Sequence, residues 1–252
     1  FDAILVVGAP VFTYHVEGSG PHWPAHAQLM ALSDDPQHLA AMPGGGGVLG
    51  DVEDGLGQLA ERVNAKKFTG KSHRLKTPDK EMTAAWVLSR VAALRPEAAV
   101  IVEEAPTARG PEHDVLPIVR EGGFYSCASG GLGYSLPGAI GVAIGQPDKV
   151  IAILGDGAAM YTLQGLFAAR DQQANVSFLI LNNQGYAALT GFSSEFGMNH
   201  VPGCDLTGLD FVKLAEGHGI EGRLIDSTDD LDAALTWSFG QERPSLLDIR
   251  IA

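Results

Sequence analysis

Four stretches constrain the fold of this chain more than anything else in it: "AAVIVEEA", "KVIAILG", "VSFLILNN" and "PSLLDIRIA". Each is a short apolar run rich in Val, Ile and Leu. A strand with one wet face alternates apolar and polar residues, whereas a near-continuous apolar run belongs to a strand covered by helices on both faces. Helical patterns near residues 133–145, 159–172, 209–218 and 229–238 lie between these runs, together with a shorter strand, "GRLID". The alternation predicts an α/β fold built on a doubly wound parallel sheet. In such sheets ligands bind outside the carboxyl ends of the strands, near the point where strand order reverses. That rule gathers three polar clusters at one rim: "EEAPTARG", "GDGAAMY" and "NNQGYAAL".

This domain is expected over residues 80–252. Before it, residues 65–79 carry Lys66, Lys67, Lys71, Arg74 and Lys76 without a regular apolar period, and read as a solvated linker. A helix is expected to start at Thr77 and Pro78, with Glu81 in its first turn, and another at Ser227 with Asp230 three residues on. Residues 1–64 read as a partial second α/β layer, with strands in "AILVVGAP" and "AQLMALSDDP" and a helix in "DVEDGLGQLAERV". Its "MPGGGGVLGD" contains GxGxxG at Gly45, Gly47 and Gly50. The dinucleotide fingerprint needs a strand before those glycines and a helix directly after. Here Met42-Pro43 precedes them and Val48-Leu49 reads as a strand, so the stretch is a glycine-rich connection, and a nicotinamide-binding reading would rest on it alone. The chain opens "FDAILVVGAP", directly in a strand pattern and without Met, and reads as a piece of a longer protein.

The net charge of −13 opposes nucleic acid or anionic membrane as the main partner. No apolar run reaches the roughly 18 residues of a membrane span. Two cysteines, Cys127 and Cys204, lack metal-ligand spacing and suit a reducing, cytoplasmic setting. A chain this acidic needs a cation or backbone N–H groups to hold a phosphorylated small molecule. The rim clusters offer both. Asp156 sits between two glycines, where the backbone can approach a ligand closely and the next helix can present N–H groups. A carboxylate beside a phosphate is repulsive unless a hard divalent ion such as Mg²⁺ lies between them. Asp156 offers a carboxylate oxygen, Asn183 a carboxamide oxygen and Gly185 a backbone carbonyl. Either cluster alone is a common turn; the pair, at the ends of separate strands, is far more specific.

"GDG" followed after 24 residues by "NN" resembles the thiamine diphosphate motif. With "CASGGLGYSLPGAIG", "NNQGYAAL" and "VPGCDLTGLDFVKLAEGHGI", the chain is similar to benzoylformate decarboxylase and its relatives: residues 1–64 resemble the later half of the family's middle domain, and 80–252 its diphosphate-binding domain. The resemblance implies side-chain metal ligands at Asp156 and Asn183 and a backbone ligand at Gly185. It implies diphosphate contacts from the N–H groups of Gly157 and Ala158 and the Thr107 hydroxyl. The Gly130 carbonyl would meet the cofactor's 4′-amino group, Leu132 would bend the cofactor, Tyr186 would pack near it, and Phe192 would line the substrate pocket. From the residues alone, Leu132 reads equally as core and Phe192 as a buried aromatic.

The implied cofactors are thiamine diphosphate and Mg²⁺, and the implied reaction is decarboxylation of an aromatic, benzoylformate-like 2-oxo acid. Acetolactate-synthase-type carboligation and a non-catalytic cofactor-binding or assembly module are the alternatives. No catalytic residue is assigned here. The activating glutamate belongs to the family's N-terminal pyrimidine-binding domain, supplied by a neighbouring subunit of a homodimer or homotetramer, so this chain alone is expected to be inactive. Pro106 and Ala158 replace hydroxyl residues of close relatives, and Thr190 and Gly191 replace larger ones. His22 and His26 read as surface loop residues; His113 and His200 read as loop residues near the rim, solvated or within reach of a substrate, with His200 the better placed because it follows the pocket segment.

Overall fold

The computed structural model describes residues 2–11, 22–64, 77–127, 130–198 and 200–252, so most of the expected linker, 65–76, lies outside the described residues. The chain divides into two compact units, residues 1–72 and 73–252.

The smaller unit is a three-stranded parallel sheet, β1 (Ala3–Val7), β2 (Gln28–Ser33) and β3 (Gly46–Leu49), in that spatial order, with helices α1 (Pro36–Ala40) and α2 (Val52–Arg62). Gly46 and Gly47 are strand residues, paired with Met30 and Ala31, so the glycine run is a connection that becomes a strand. Leu29 and Ala31 face a small core with Val11, while Leu5 and Met30, pointing the other way, are 41% and 43% exposed.

The larger unit runs α3 (Ala84–Leu94), β4 (Val100–Glu104), a 3₁₀ turn (Pro106–Ala108), α4 (Arg109–Val115), β5 (Phe124–Ser126), α5 (Ser135–Gly145), β6 (Val150–Gly155), α6 (Asp156–Ala159), α7 (Gly165–Asp171), β7 (Val176–Asn182), α8 (Ala187–Glu195), α9 (Phe211–Gly217), β8 (Glu221–Ile225), α10 (Thr228–Phe239) and β9 (Ser245–Arg250). Its six strands pair in parallel in the order β5-β4-β6-β7-β9-β8. Period 2 divides their side chains between two cores. Ile101, Ile151, Ile153, Leu179, Leu247 and Ile249 pack under α3, α4 and α10. Val102, Val150, Ala152, Phe178, Ile180 and Leu246 pack under α5, α7 and α9. Every residue of β7 is buried, whereas the edge strand β8 is largely exposed. This is an α/β fold with a doubly wound parallel sheet. From β4 the chain steps outward to β5 and then back across to β6, so the strand order reverses between β4 and β6.

Several local expectations shift. The first helix starts at Ala84 rather than at Thr77, because the Thr83 side chain caps it by accepting the Trp86 N–H at 3.3 Å. The helix expected over 159–172 breaks into α6 and α7. Ser227 caps α10 through the Asp229 N–H at 3.2 Å. His113 lies on α4, not in a loop.

At the opposite end of the sheet Lys149 is 7% exposed and donates to Asn175 Oδ1 at 3.1 Å and to the Gln241 carbonyl at 2.8 Å. Burial pulls its ammonium down to about 8. The unfolded value is about 10.4, so the folded state disfavours the charged lysine fully below pH 8 and ceases to do so above about 10.4. The stability of the wild type relative to Lys149→Met is therefore expected to rise as pH climbs from 8 towards 10.4, read by urea denaturation across that range.

Candidate active site

The rim is assembled from backbone donors and a few buried acids. Adjacent strands end level with one another: Glu104 pairs with Leu154, Gly155 with Leu181 and Asn182 with Arg250. The turns after β4, β5, β6 and β7, which carry all but one of the predicted site residues, leave the sheet on the same side.

Glu104 organises the first two of these turns. Its carboxylate, 2% exposed, accepts the N–H groups of Gly133 at 2.7 Å, Tyr134 at 3.1 Å and Ser135 at 3.0 Å. These are donors at the entrance of α5 that no intrahelical carbonyl can satisfy. The Ser135 hydroxyl returns a bond to the Glu103 carbonyl at 2.7 Å. Gly133 has φ +96°, and a Cβ there would meet Thr162 at 2.9 Å, while its carbonyl accepts the Thr162 hydroxyl at 3.1 Å. The segment bearing Gly130 and Leu132 is thus clamped between β4 and the turn that follows α6. Leu132 is 36% exposed, so it is not core. Thr107 lies exposed in the 3₁₀ turn.

The second half joins β6 to β7. Asp156 is 3% exposed; its Oδ1 accepts the Gly157 N–H at 2.8 Å and its Oδ2 the Gly185 N–H at 3.0 Å. The same Gly185 N–H lies 3.2 Å from Asn183 Oδ1, so the carboxylate and the carboxamide oxygen converge on one point. The Gly157 N–H, expected to serve a diphosphate, donates here to the Asp156 carboxylate. The two asparagines divide their work. Asn182, 2% exposed, donates to Asp248 at 2.7 Å and accepts the Gln184 N–H at 3.0 Å, leaving Asn183 for the site. Between them and Gly185, Gln184 takes a left-handed φ of +63°, held by its own bonds on both sides. A Cβ on Gly157 would stand 2.4 Å from the Tyr186 ring, which therefore packs directly against that glycine.

Burial pushes the Asp156 carboxyl above its usual range, and N–H bonds from Gly157, Gly185 and Gln184 pull it partway back. Among the described residues no lysine, arginine or histidine pairs with it. Nor is there, among those residues, any cluster of three His, Cys, Asp or Glu side chains able to hold a metal. A buried carboxylate without a cation is costly. The donors present, one carboxylate, one carboxamide and one carbonyl oxygen, fit a hard divalent ion that completes its shell with non-protein oxygens.

A cavity of about 610 Å³ adjoins this loop, lined by Asn183, Gly185, Tyr186, Thr190, His200 and Cys204 among others. His200 is thus brought to the site. Phe192 is not among the cavity's lining residues; it is 45% exposed on α8 and packs on Phe196 with centroids 5.0 Å apart. It is not the buried aromatic of the structural alternative either. Among the described residues no helix is long and apolar enough to cross a membrane.

Sequence reasoning missed Glu103 and Glu104. Their signal was the pair of acids that opens the rim cluster "EEAPTARG", to which no individual role could be given without the N–H groups they meet. Replacing Glu104 by Gln puts an amide donor against the N–H groups of residues 133–135. Glu104→Gln is expected to cost about 3 kcal/mol in urea denaturation and to speed hydrogen exchange at Gly133, Tyr134 and Ser135.

Comparison with known proteins agrees with this geometry. Residues 113–249 match the family model of the thiamine pyrophosphate enzyme C-terminal TPP-binding domain. Benzoylformate decarboxylase of Pseudomonas aeruginosa is 33% identical over 98% of this chain and 48% of its own length. Acetolactate synthase isozyme 2 large subunit of Escherichia coli is 25% identical over 99% of this chain and 48% of its own. Among solved structures, the thiamine diphosphate-dependent 4-hydroxybenzoylformate decarboxylase of Rhodococcus jostii is 34% identical with a TM-score of 0.88, covering 99% of this chain and 49% of that one. Benzoylformate decarboxylase of Polynucleobacter necessarius is 28% identical with a TM-score of 0.90, covering 100% and 49%. The chain spans about half the length of these relatives. It belongs to the thiamine pyrophosphate enzyme family.

Proposed function

We propose that this chain supplies the diphosphate and metal half of the active site of a thiamine-diphosphate- and Mg²⁺-dependent decarboxylase acting on an aromatic, benzoylformate-like 2-oxo acid. The observation that carries the reading is the convergence, at the Gly185 N–H, of Asn183 Oδ1 with an oxygen of Asp156, a buried carboxylate that lacks a cation among the described residues. When bound, the cofactor supplies a carbon nucleophile and an electron sink for loss of CO₂ from a 2-oxo acid. The chain's own residues bind and orient. Asp156, Asn183 and the Gly185 carbonyl hold the ion; each Asp156 oxygen already accepts one N–H and keeps lone-pair capacity for it. The Thr107 hydroxyl and the Gly157 and Ala158 N–H groups serve the diphosphate. Gly130 offers a carbonyl, exposed Leu132 a wedge and Tyr186 an apolar wall, with Phe192 towards the substrate. The proton-donating glutamate comes from a pyrimidine-binding domain of a neighbouring subunit, so this chain alone turns over no substrate.

Carboligation is the second reading, favoured by the acetolactate synthase relative. Carboligation product without net aldehyde release, in the protein with its pyrimidine-binding domain restored, would select it; cofactor binding with no activity there would select a non-catalytic module.

The cofactor reading is tested by calorimetric titration with thiamine diphosphate, with Mg²⁺ and with chelator, on the chain and on the domain-restored protein. Metal-dependent binding is expected, with a loss of about a hundredfold or more in Asp156→Ala. No binding in the restored protein, or binding indifferent to metal and to Asp156→Ala, would overturn it.

A further inference from the structure

Behind the turn that carries Thr107 lies a cluster of charged side chains that the proposed reaction does not use. Glu103 Oε1 accepts the Ala105 N–H at 2.7 Å and Oε2 accepts the Ser126 hydroxyl at 3.0 Å. Arg109 Nε lies 3.4 Å from Oε1 and 3.3 Å from Oε2. One carboxylate therefore ties the end of β4 to the rim turn, to α4 and to β5. Glu112 follows Arg109 by three residues on α4, on the same helix face. It is 2% exposed, and its Oε1 is buried without a hydrogen-bond partner. Among the described residues no cation lies within ion-pair distance of Glu112, and Arg109 is committed to Glu103.

Among the described residues the neighbouring elements offer Glu112 no other charge compensation. From β4 it meets Glu103, a like charge, while Glu104 is taken up by residues 133–135. The 3₁₀ turn Pro106–Ala108 carries no charge. The only charged residue of α3, which packs against α4, is Arg90, and it is paired with Asp232 at 2.8 and 2.9 Å. On α4 itself Arg109 is the cation, with His113 and Asp114 the other titratable groups. An ionised carboxylate buried in this way costs far more than a neutral one.

We propose that Glu112 is held as a neutral carboxyl and acts as a positioning residue, leaving Arg109 on Glu103, so that its ionisation releases the turn that carries Thr107. Once charged, Glu112 repels Glu103 and competes with it for the single guanidinium. Either event weakens the hold on Ala105 and Arg109, which flank Thr107. Burial and the facing Glu103 push the Glu112 carboxyl up to about 8, against the pull of Arg109. The folded value lies above the unfolded one, so the neutral arrangement is fully present in acid and is lost as pH rises through about 8. The consequence for a bound diphosphate rests on the thiamine diphosphate reading; the brace itself does not.

Hydrogen exchange at the Ala105 amide, measured without cofactor from about pH 6 to about pH 10 and corrected for intrinsic rate, tests it. In the wild type, protection should fall by about tenfold or more with its midpoint near 8, and in Glu112→Gln it should stay flat. The infrared carbonyl stretch of a protonated carboxyl should be present in the wild type at neutral pH and diminished in Glu112→Gln. Flat protection in the wild type, the same fall in Glu112→Gln, or no protonated-carboxyl band at neutral pH would each overturn the proposal. Should Glu112→Gln fail to fold, the two wild-type measurements decide alone. Since no cofactor enters, this outcome is separate from that of the titration with thiamine diphosphate.

Discussion

The site depends first on a buried acid answering a row of backbone donors. A parallel sheet covered on both faces sends every connection over its rim, and the helix entrances there carry N–H groups without internal acceptors. At β4 that demand is met by Glu104, whose two oxygens take three consecutive N–H groups thirty residues along the chain. Because the acceptor is a carboxylate in a dry setting, the bonds are stronger than neutral ones and the loop is fixed rather than merely satisfied. The entrance of α5 is consequently occupied by the protein's own anion. Phosphate binding, if it uses helix N–H groups, falls to the turn after β6.

That turn is built on the opposite principle. Asp156 is as buried as Glu104, but the N–H groups within hydrogen-bond distance of it belong to glycines, one on its own short helix and one on the loop after β7. Tyr186 lies on Gly157 and leaves no room there for a side chain. The result joins β6 to β7 through Gly185, and the same loop presents Asn183 beside Asp156.

The sheet itself was legible in the sequence because continuous apolar runs have few alternatives once helices alternate with them. Asn183 and Asp156 were legible as a pair for the same reason: both follow such runs directly. What escaped was whatever depends on long-range partners. Glu103 and Glu104 have no individual role until the N–H groups of residues 105 and 133–135 are placed beside them. Thr77 and Pro78 carry good local start signals, but the helix begins where Thr83 can cap it. The division between Asn182 and Asn183 needed Asp248, 66 residues away. Phe192 packs on Phe196 one helical turn on, an i,i+4 contact that the helix spacing itself brings about.

The most direct test of the site is anomalous diffraction from crystals grown with Mn²⁺ and thiamine diphosphate. The account predicts one strong peak within bonding distance of Asp156, Asn183 Oδ1 and the Gly185 carbonyl, with diphosphate oxygens completing the shell. A bound cofactor with its metal elsewhere, or with no metal at Asp156, would contradict it.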